Sequence, residues 1–352
     1  MRRLPARRPT IRDIARRAGV SESAVSFALN GRPGVSAATR ERVRRVAEQL
    51  GWQPSTAARA LSGEGSATVG LVLARPARTL GVESFFLRLV SGVQEALAPR
   101  RLGLLFQVVE DVTAECAVHR RWWAEHRVDG LLVVDPRDAD PRPALLAELG
   151  LPAVVIGAMD DPPWEARPPD APLSNLWADD AAAMASVVDH LHALGHQHLV
   201  HVAGLPGLAH TRRRIASLRR EADRRGLPDV HSVTTDYSDA QGAEATRRLL
   251  SAPSPPTAIV YDNDVMAVAG LSVAAQHGLS VPTDLSIVAW DDSILCRSTH
   301  PPLTALTRDT DAFGRRAAEE LVALLDGGPP RRCRDTTPRL VARGSTGVVR
   351  GG

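Results

Sequence analysis

Two rhythms divide this chain. Up to about residue 52 the apolar positions recur at helical spacing, and from residue 66 on they gather into short apolar runs separated by longer amphipathic stretches. In the opening part, "TIRDIARRAGV" sets Ile11, Ile14 and Ala15 on one stripe, and Thr10 with Asp13 has the pattern of an N-cap answered by an acidic residue at the third helical position. Gly19 supplies a tight turn, Ser21 caps a second helix, and Ala24, Val25, Ala28 and Leu29 repeat along it. A third helix is expected after Ser36, through Val43 and Val46 to Leu50, stopping at Gly51. Two short helices joined by a Gly-containing turn read as a helix-turn-helix.

The second rhythm is that of βαβ units. Runs such as "TVGLVLA", "LGLLFQVV", "VDGLLVVD" and "PAVVIGA" alternate with helical patterns such as "SFFLRLVSGVQEAL". The Pro-rich passage "DDPPWEARPPDAPL", around Trp164, divides this set from a second one containing "HLVHVAG", "TAIVYDN" and "DLSIVAWDD". The predicted fold class is an N-terminal all-α helix-turn-helix domain followed by an α/β core of two doubly wound parallel-sheet lobes. Such lobes in series leave a cleft at the carboxyl ends of their strands, a natural place for a small molecule.

Charge sharpens the division. The 352 residues carry a net charge of +3, yet residues 1–63 hold 13 Arg against 4 acidic groups and the remainder is net −6. Every basic residue is Arg; a compositional bias explains the missing Lys but not the asymmetry. A basic head on a mildly acidic body predicts a polyanionic partner, double-stranded DNA. On the second helix Phe27 lies roughly 200° around from the core-facing Val25, so Glu22, Ser23 and Phe27 are expected to face base edges. There Glu22 can accept from a cytosine amino group and Phe27 can pack on a thymine methyl. Downstream, "WQPSTAARALSG" starts a helix at Pro54, runs about two turns to Leu61 and ends near Gly63. That is short of the ~12–15 residues an isolated helix needs. It is expected to order only on DNA, with Leu61 as a wedge between base steps.

Other classes are disfavoured. No apolar run is long enough to span a bilayer, and the basic N-terminus leads into polar helix rather than an apolar leader core, which predicts a cytoplasmic protein. Cys116, Cys296 and Cys333 lack ligand or disulfide spacing. The glycines of "GEGSATVG" precede a strand instead of following one, which marks a linker and not a dinucleotide loop. "HLHALGHQHLVH" holds five histidines, but Gly195 breaks the helix between His192 and His196, so they share no ligand face. With no nucleophile elbow or kinase-type loop, no catalytic residue, metal or cofactor is expected.

The run from Thr10 to Leu61 resembles the DNA-binding head of the lactose/galactose repressor family of bacterial transcription regulators, departing at Phe27, where many relatives carry a polar or basic side chain, and at Trp52, where Tyr is usual. "DHLHALGHQHLVHVAG", "YDNDVMAVAG", "LSVPTDLSIVAWDD", "PPLTAL" and "LVARGSTG" are similar to that family's core. The resemblance implies a periplasmic-binding-protein-like body in which the chain crosses between lobes three times. The expected layout is a DNA-binding domain over 1–52, a hinge over 53–65 and a core over 66–352. Lobe 1 would take about 66–175 plus 306–335, and lobe 2 about 176–305 plus 336–350. At the DNA it implies Thr10, Ser21, Glu22, Ser23, Ser26, Phe27, Asn30, Arg59 and Leu61. In the cleft it implies a polar clamp of Arg214, Asn263 and Asp291, with Tyr237 stacking on the effector and Phe85 and Phe86 lining the first lobe. It further implies a repressor acting as a homodimer on a near-palindromic operator, governed by a sugar-like effector. Nothing after "LVARGSTG" resembles a heptad tail, so no coiled-coil tetramer is expected.

Overall fold

The computed structural model describes residues 9–52, 65–75, 84–159 and 171–349. The expected hinge helix, with Arg59 and Leu61, and the loop around Trp164 lie outside the described residues. Two compact units emerge, residues 1–67 and 68–352.

The first unit is three helices: α1 (Ile11–Ala18), α2 (Glu22–Leu29) and α3 (Ala37–Gln49). Their ends are fixed locally. The Thr10 hydroxyl accepts from the Asp13 backbone N–H at 3.3 Å while the Asp13 carboxylate accepts from the Thr10 N–H at 2.9 Å, a reciprocal capping box. Gly19 closes α1 in the left-handed conformation (φ 66°), and Ser21 and Ser36 cap the helices that follow them. Ile14, Val25 and Val43 meet at the centre, among alanines 15, 18, 28 and 47 whose small side chains let the three helices close on one another.

The second unit holds two six-stranded sheets. In the first, β1 (Thr68–Ala74), β2 (Gly103–Val109), β3 (Gly130–Val134), β4 (Ala153–Ile156), β5 (Leu173–Trp177) and β11 (Arg332–Arg334) are ordered β11-β5-β4-β3-β1-β2, all parallel. In the second, β6 (His198–Ala203), β7 (Asp229–Thr234), β8 (Ala258–Tyr261), β9 (Ser286–Ala289), β10 (Thr304–Thr307) and β12 (Arg339–Val341) are ordered β12-β10-β9-β8-β6-β7. Only β12 runs antiparallel to its neighbour. Helices α4 (Ser84–Leu97), α5 (Val112–Ala124) and α6 (Arg142–Leu149) belong to the first lobe. To the second belong α7 (Asp180–Ala193), α8 (Ala209–Arg225), α9 (Asp239–Leu250), α10 (Asp264–Gln276) and α11 (Ile294–Ser298). Each lobe has two apolar clusters, which marks sheets covered on both faces, as near-continuous apolar strands require.

The chain passes between lobes three times: from β5 to α7, from β10 to α12 (Thr310–Leu325), and from β11 to β12. Helix α12 belongs to the first lobe, where Phe313, Ala317, Leu321 and Leu324 join its core. It crosses α4 so closely that a Cβ on Gly92 would sit 1.8 Å from the Asp311 carbonyl oxygen, and one on Gly314 would sit 2.1 Å from that of Leu89. Strand β5 follows the Pro-rich passage and pairs with β4 in the first sheet, so the first lobe runs through Trp177 before the chain crosses. That strand, "LSNLW", hides its polar residues by tertiary bonding: the Asn175 amide donates to the carbonyls of Val155 and Gly157 at 2.9 and 2.7 Å, and the Ser174 hydroxyl accepts from the Arg331 N–H at 2.9 Å.

Candidate functional site

In the head, Ser21, Glu22, Ser23, Phe27 and Asn30 are exposed and Ser26 is half-buried, so α2 carries its polar face outward. Thr10 and Ser21 spend their hydroxyls on caps, leaving them at helix ends with further acceptor capacity. Phe27 is not a core aromatic: its side chain is 37% exposed and its ring rests beside Gly34. Glu22 faces Arg12 at 3.5 Å, both well exposed, an interaction too solvated to hold the carboxylate away from a base.

The body's site lies between the lobes, where strand ends of both sheets converge. Phe85, Arg214, Tyr237, Asn263 and Asp291 all line one cavity of about 80 Å³. Arg214, on α8, is buried; its guanidinium donates to Asp262 at 3.0 Å and Asp180 at 3.2 Å and lies 3.8 Å from the Trp290 ring centre. Asp262 accepts from the Gly204 N–H at 2.8 Å and contacts His201 Nε2 at 2.9 Å. Burial pushes its pKa up, but Arg214, His201 and that N–H overcome this and hold it far below the usual carboxylate range. Asn263 caps α10, accepting from the Met266 N–H at 2.8 Å, while its amide donates to the Tyr237 carbonyl at 3.0 Å. It therefore serves as a cap and a cleft residue together.

Tyr237 departs from the expected stacking surface. Its backbone is left-handed (φ 70°), its hydroxyl pairs with His210 Nε2 at 2.7 Å, and the Arg75 guanidinium covers its ring at 4.6 Å. A Cβ on Gly204 would lie 1.8 Å from that ring, so glycine is what lets the tyrosine close on the backbone just past β6. His210 is pushed down to about 4 by burial and by Arg214, and so is neutral. Phe86 is also displaced from its expected role. Successive helical residues point about 100° apart, and while Phe85 faces the cavity, Phe86 turns into the first-lobe core, 3% exposed.

Sequence reasoning missed Arg75, Asp135, Asp180, His210, Asp262, Arg308 and Phe313, all of which line the cavity. Arg75 donates to Asp135 at 2.6 Å, and burial of that carboxylate is outweighed by Arg75, which keeps it below its ordinary pKa. Asp135 is in turn anchored through its backbone: its carbonyl accepts from Arg142 at 2.7 Å, and Arg142 also grips Glu115 and Asp140. Arg308 packs its guanidinium on Phe85 (4.6 Å) and Phe313 (5.1 Å). Among the described residues neither the Arg308 guanidinium nor the Asp291 carboxylate has a hydrogen-bond partner. Asp291 is raised to about 6 by burial, offset by Arg308 and reinforced by Asp264. The cavity thus offers one unsatisfied acceptor and one unsatisfied donor set between aromatic walls, with the other charges already paired. The only flagging signals in sequence were the short polar runs "YDND" and "LTRDT".

A capped helix-turn-helix followed by two sheet lobes around a polar cleft defines a ligand-responsive DNA-binding regulator, and comparison with known proteins agrees. Residues 10–55 match the model of the bacterial regulatory proteins of the lacI family, and residues 188–346 match that of the periplasmic binding protein-like domain. The chain is 31% identical over 329 residues to the HTH-type transcriptional regulator CelR of Thermobifida fusca, spanning 91% of this chain and 93% of that protein. It is 30% identical over 339 residues to the ribose operon repressor of Escherichia coli K12, spanning 96% and 99%. Among solved structures, the lac repressor dimer bound to operator and the anti-inducer ONPF superposes with a TM-score of 0.80 at 25% identity, covering 97% of this chain and 100% of that one. A CelR–cellobiose complex gives 0.70 at 29% identity, covering 96% and 100%. The chain belongs to the lacI family. It is a transcriptional regulator that binds DNA through its N-terminal head. No helix among the described residues is long and apolar enough to cross a membrane.

Proposed function

We propose that the chain represses transcription as a homodimer on a near-palindromic operator, and that a polyhydroxylated molecule of sugar type in the inter-lobe cleft sets its affinity for DNA. The observation that carries this is the unsatisfied pair facing the cavity, Asp291 and Arg308, beside the paired Arg214–Asp262 and the Asn263 amide. A carboxylate accepts from two neighbouring hydroxyls, and a guanidinium donates to them; that chemistry suits a polyol more than a purely apolar or strongly charged molecule. The cavity's volume of about 80 Å³, enclosed by polar and aromatic side chains, suits a small molecule and not a polymer chain. Relatives named for ribose and bound to cellobiose support the same class.

The lobes close over this cavity through direct contacts: the Ser84 hydroxyl donates to Asp264 at 3.2 Å, Arg212 to Asp138 at 2.8 Å, and the Ala209 N–H to the Pro136 carbonyl at 2.8 Å. A ligand that bonds both walls changes the balance of these contacts, and only such differential binding shifts a two-state equilibrium. In this reading two copies of α2 enter successive major grooves, Arg59 and Leu61 belong to a hinge that orders on DNA, and the protein performs no catalysis. The decisive experiment is fluorescence anisotropy on the gene's own upstream region with a panel of monosaccharides and disaccharides. At least one sugar should shift operator affinity tenfold or more in the wild type and fail to do so in Asp291→Ala. No DNA binding at low salt would sink the reading.

A further inference from the structure

The histidine-rich stretch fails as a linear metal motif, but the second sheet brings one of its members to partners far away in sequence. Strands β6 and β7 pair in parallel with His198 opposite Asp229 and Val200 opposite His231. Alternate residues of a strand share a face and registered neighbours in a parallel pair point the same way, so His198, Asp229 and His231 stand together. His198 Nε2 lies 3.1 Å from Asp229 Oδ2, His231 Nδ1 lies 3.7 Å from Asp229 Oδ1, and one donor atom from each of the three falls within 4.8 Å of the others. It is the one such trio of potential ligands among the described residues.

We propose that His198, Asp229 and His231 form a surface site for a single divalent transition-metal ion of the zinc class. Zinc holds nitrogen and oxygen ligands at about 2.0–2.1 Å, which spaces tetrahedral neighbours ~3.3 Å apart. The His198–Asp229 pair already has that separation. His231, 48% exposed on the edge strand, stands 3.7 Å from the same carboxylate and closes the remaining few tenths of an ångström by a small side-chain rotation. Two imidazoles with one carboxylate select borderline ions such as zinc over magnesium or calcium, which take all-oxygen shells, and leave a fourth position for water. Arg248 lines the same open cavity, but it is turned toward Glu244 at 3.9 Å, so its charge is partly offset.

The site sits at the amino ends of β6 and β7, whereas the cleft lies past the carboxyl end of β6, six residues or ~20 Å away. A bound ion therefore does not compete with an effector. It cross-links the edge strand β7 to β6 and stabilises the second lobe by mass action. The inference is independent of the effector reading.

Isothermal titration of the metal-free full-length protein with zinc chloride tests it. One saturable site is expected, weakened at least tenfold in both His198→Ala and His231→Gln, and unchanged in His192→Ala, whose side chain lies on α7. Circular dichroism and operator binding of each variant confirm the fold. Wild-type zinc affinity in the His198 and His231 variants overturns the proposal, as does the absence of saturable binding or an equal response to magnesium chloride.

Discussion

Replacing Asp291 by Asn should make the ligand-free protein more stable while abolishing its response to effector. Burial raises the Asp291 pKa to about 6, against 3.8 for an unperturbed aspartate. The folded state then holds this proton more tightly than the unfolded chain does. The group's contribution is most favourable below the unfolded pKa and is lost as pH climbs from about 4 to about 6, so at neutral pH the ionised carboxylate weakens the fold. Two pKa units at 1.36 kcal/mol each set an upper bound of about 3 kcal/mol. Asn keeps the shape and the polarity without the charge. Unfolding a core that spans residues 68–352 releases ~0.6 kcal/mol per degree, from ~2.1 cal/mol/K per residue, so Tm should rise by about 3–5 °C. Differential scanning calorimetry at pH 7.5 and at pH 4 reads this directly. The gain should be present at the higher pH and vanish at the lower one. A variant that melts at or below the wild type at pH 7.5, or whose advantage does not depend on pH, refutes the account of Asp291 as a half-buried carboxylate kept for ligand binding.

Four further outcomes follow from the same structure. Gly92→Ala should lower stability by about 3 kcal/mol in a denaturant melt, because the added methyl meets backbone rather than a side chain that can swing away. Arg142→Leu should cost roughly 3–5 kcal/mol by leaving Glu115 and Asp140 buried without their cation; a loss under 1 kcal/mol would show that water reaches them. Phe27→Ala should leave the head folded, as seen by circular dichroism, yet weaken operator binding by about 1–3 kcal/mol. Operator affinity should also fall at least a hundredfold between about 50 and 200 mM salt, and a shallow slope in a filter-binding series would mean that few phosphates are touched.

What could be read from the residues was local. Thr10, Ser21 and Ser36 bond to backbone within three residues, so their caps were legible, and the long apolar strands declared a buried parallel sheet. Strand β5 was not legible, because Ser174 and Asn175 lose their polar character only once β4 and Arg331 are beside them. The cleft divided in the same way. Resemblance pointed to Arg214, Asn263 and Asp291, all of which reach the cavity, but not to the side chains that organise them. Asp262 and Arg75 act through partners 48 and 60 residues away, and in a chain with 43 basic residues nothing marks an arginine as buried before the fold exists. For Phe85 and Phe86, only α4's seat on α12 decides which ring meets the cavity.

Because α12 and β11 supply the first lobe with a core helix and an edge strand, that lobe cannot be finished from its own N-terminal half. A ribosome translating this message will have released all of the second lobe except β12 before the residues that complete the first emerge. Through most of synthesis the apolar face of α4 awaits a helix more than two hundred residues downstream. A stop codon just before residue 310 should thus yield not a shortened regulator but two damaged lobes, one without α12 and β11 and the other without β12, with fragments recognised by proteases and chaperones.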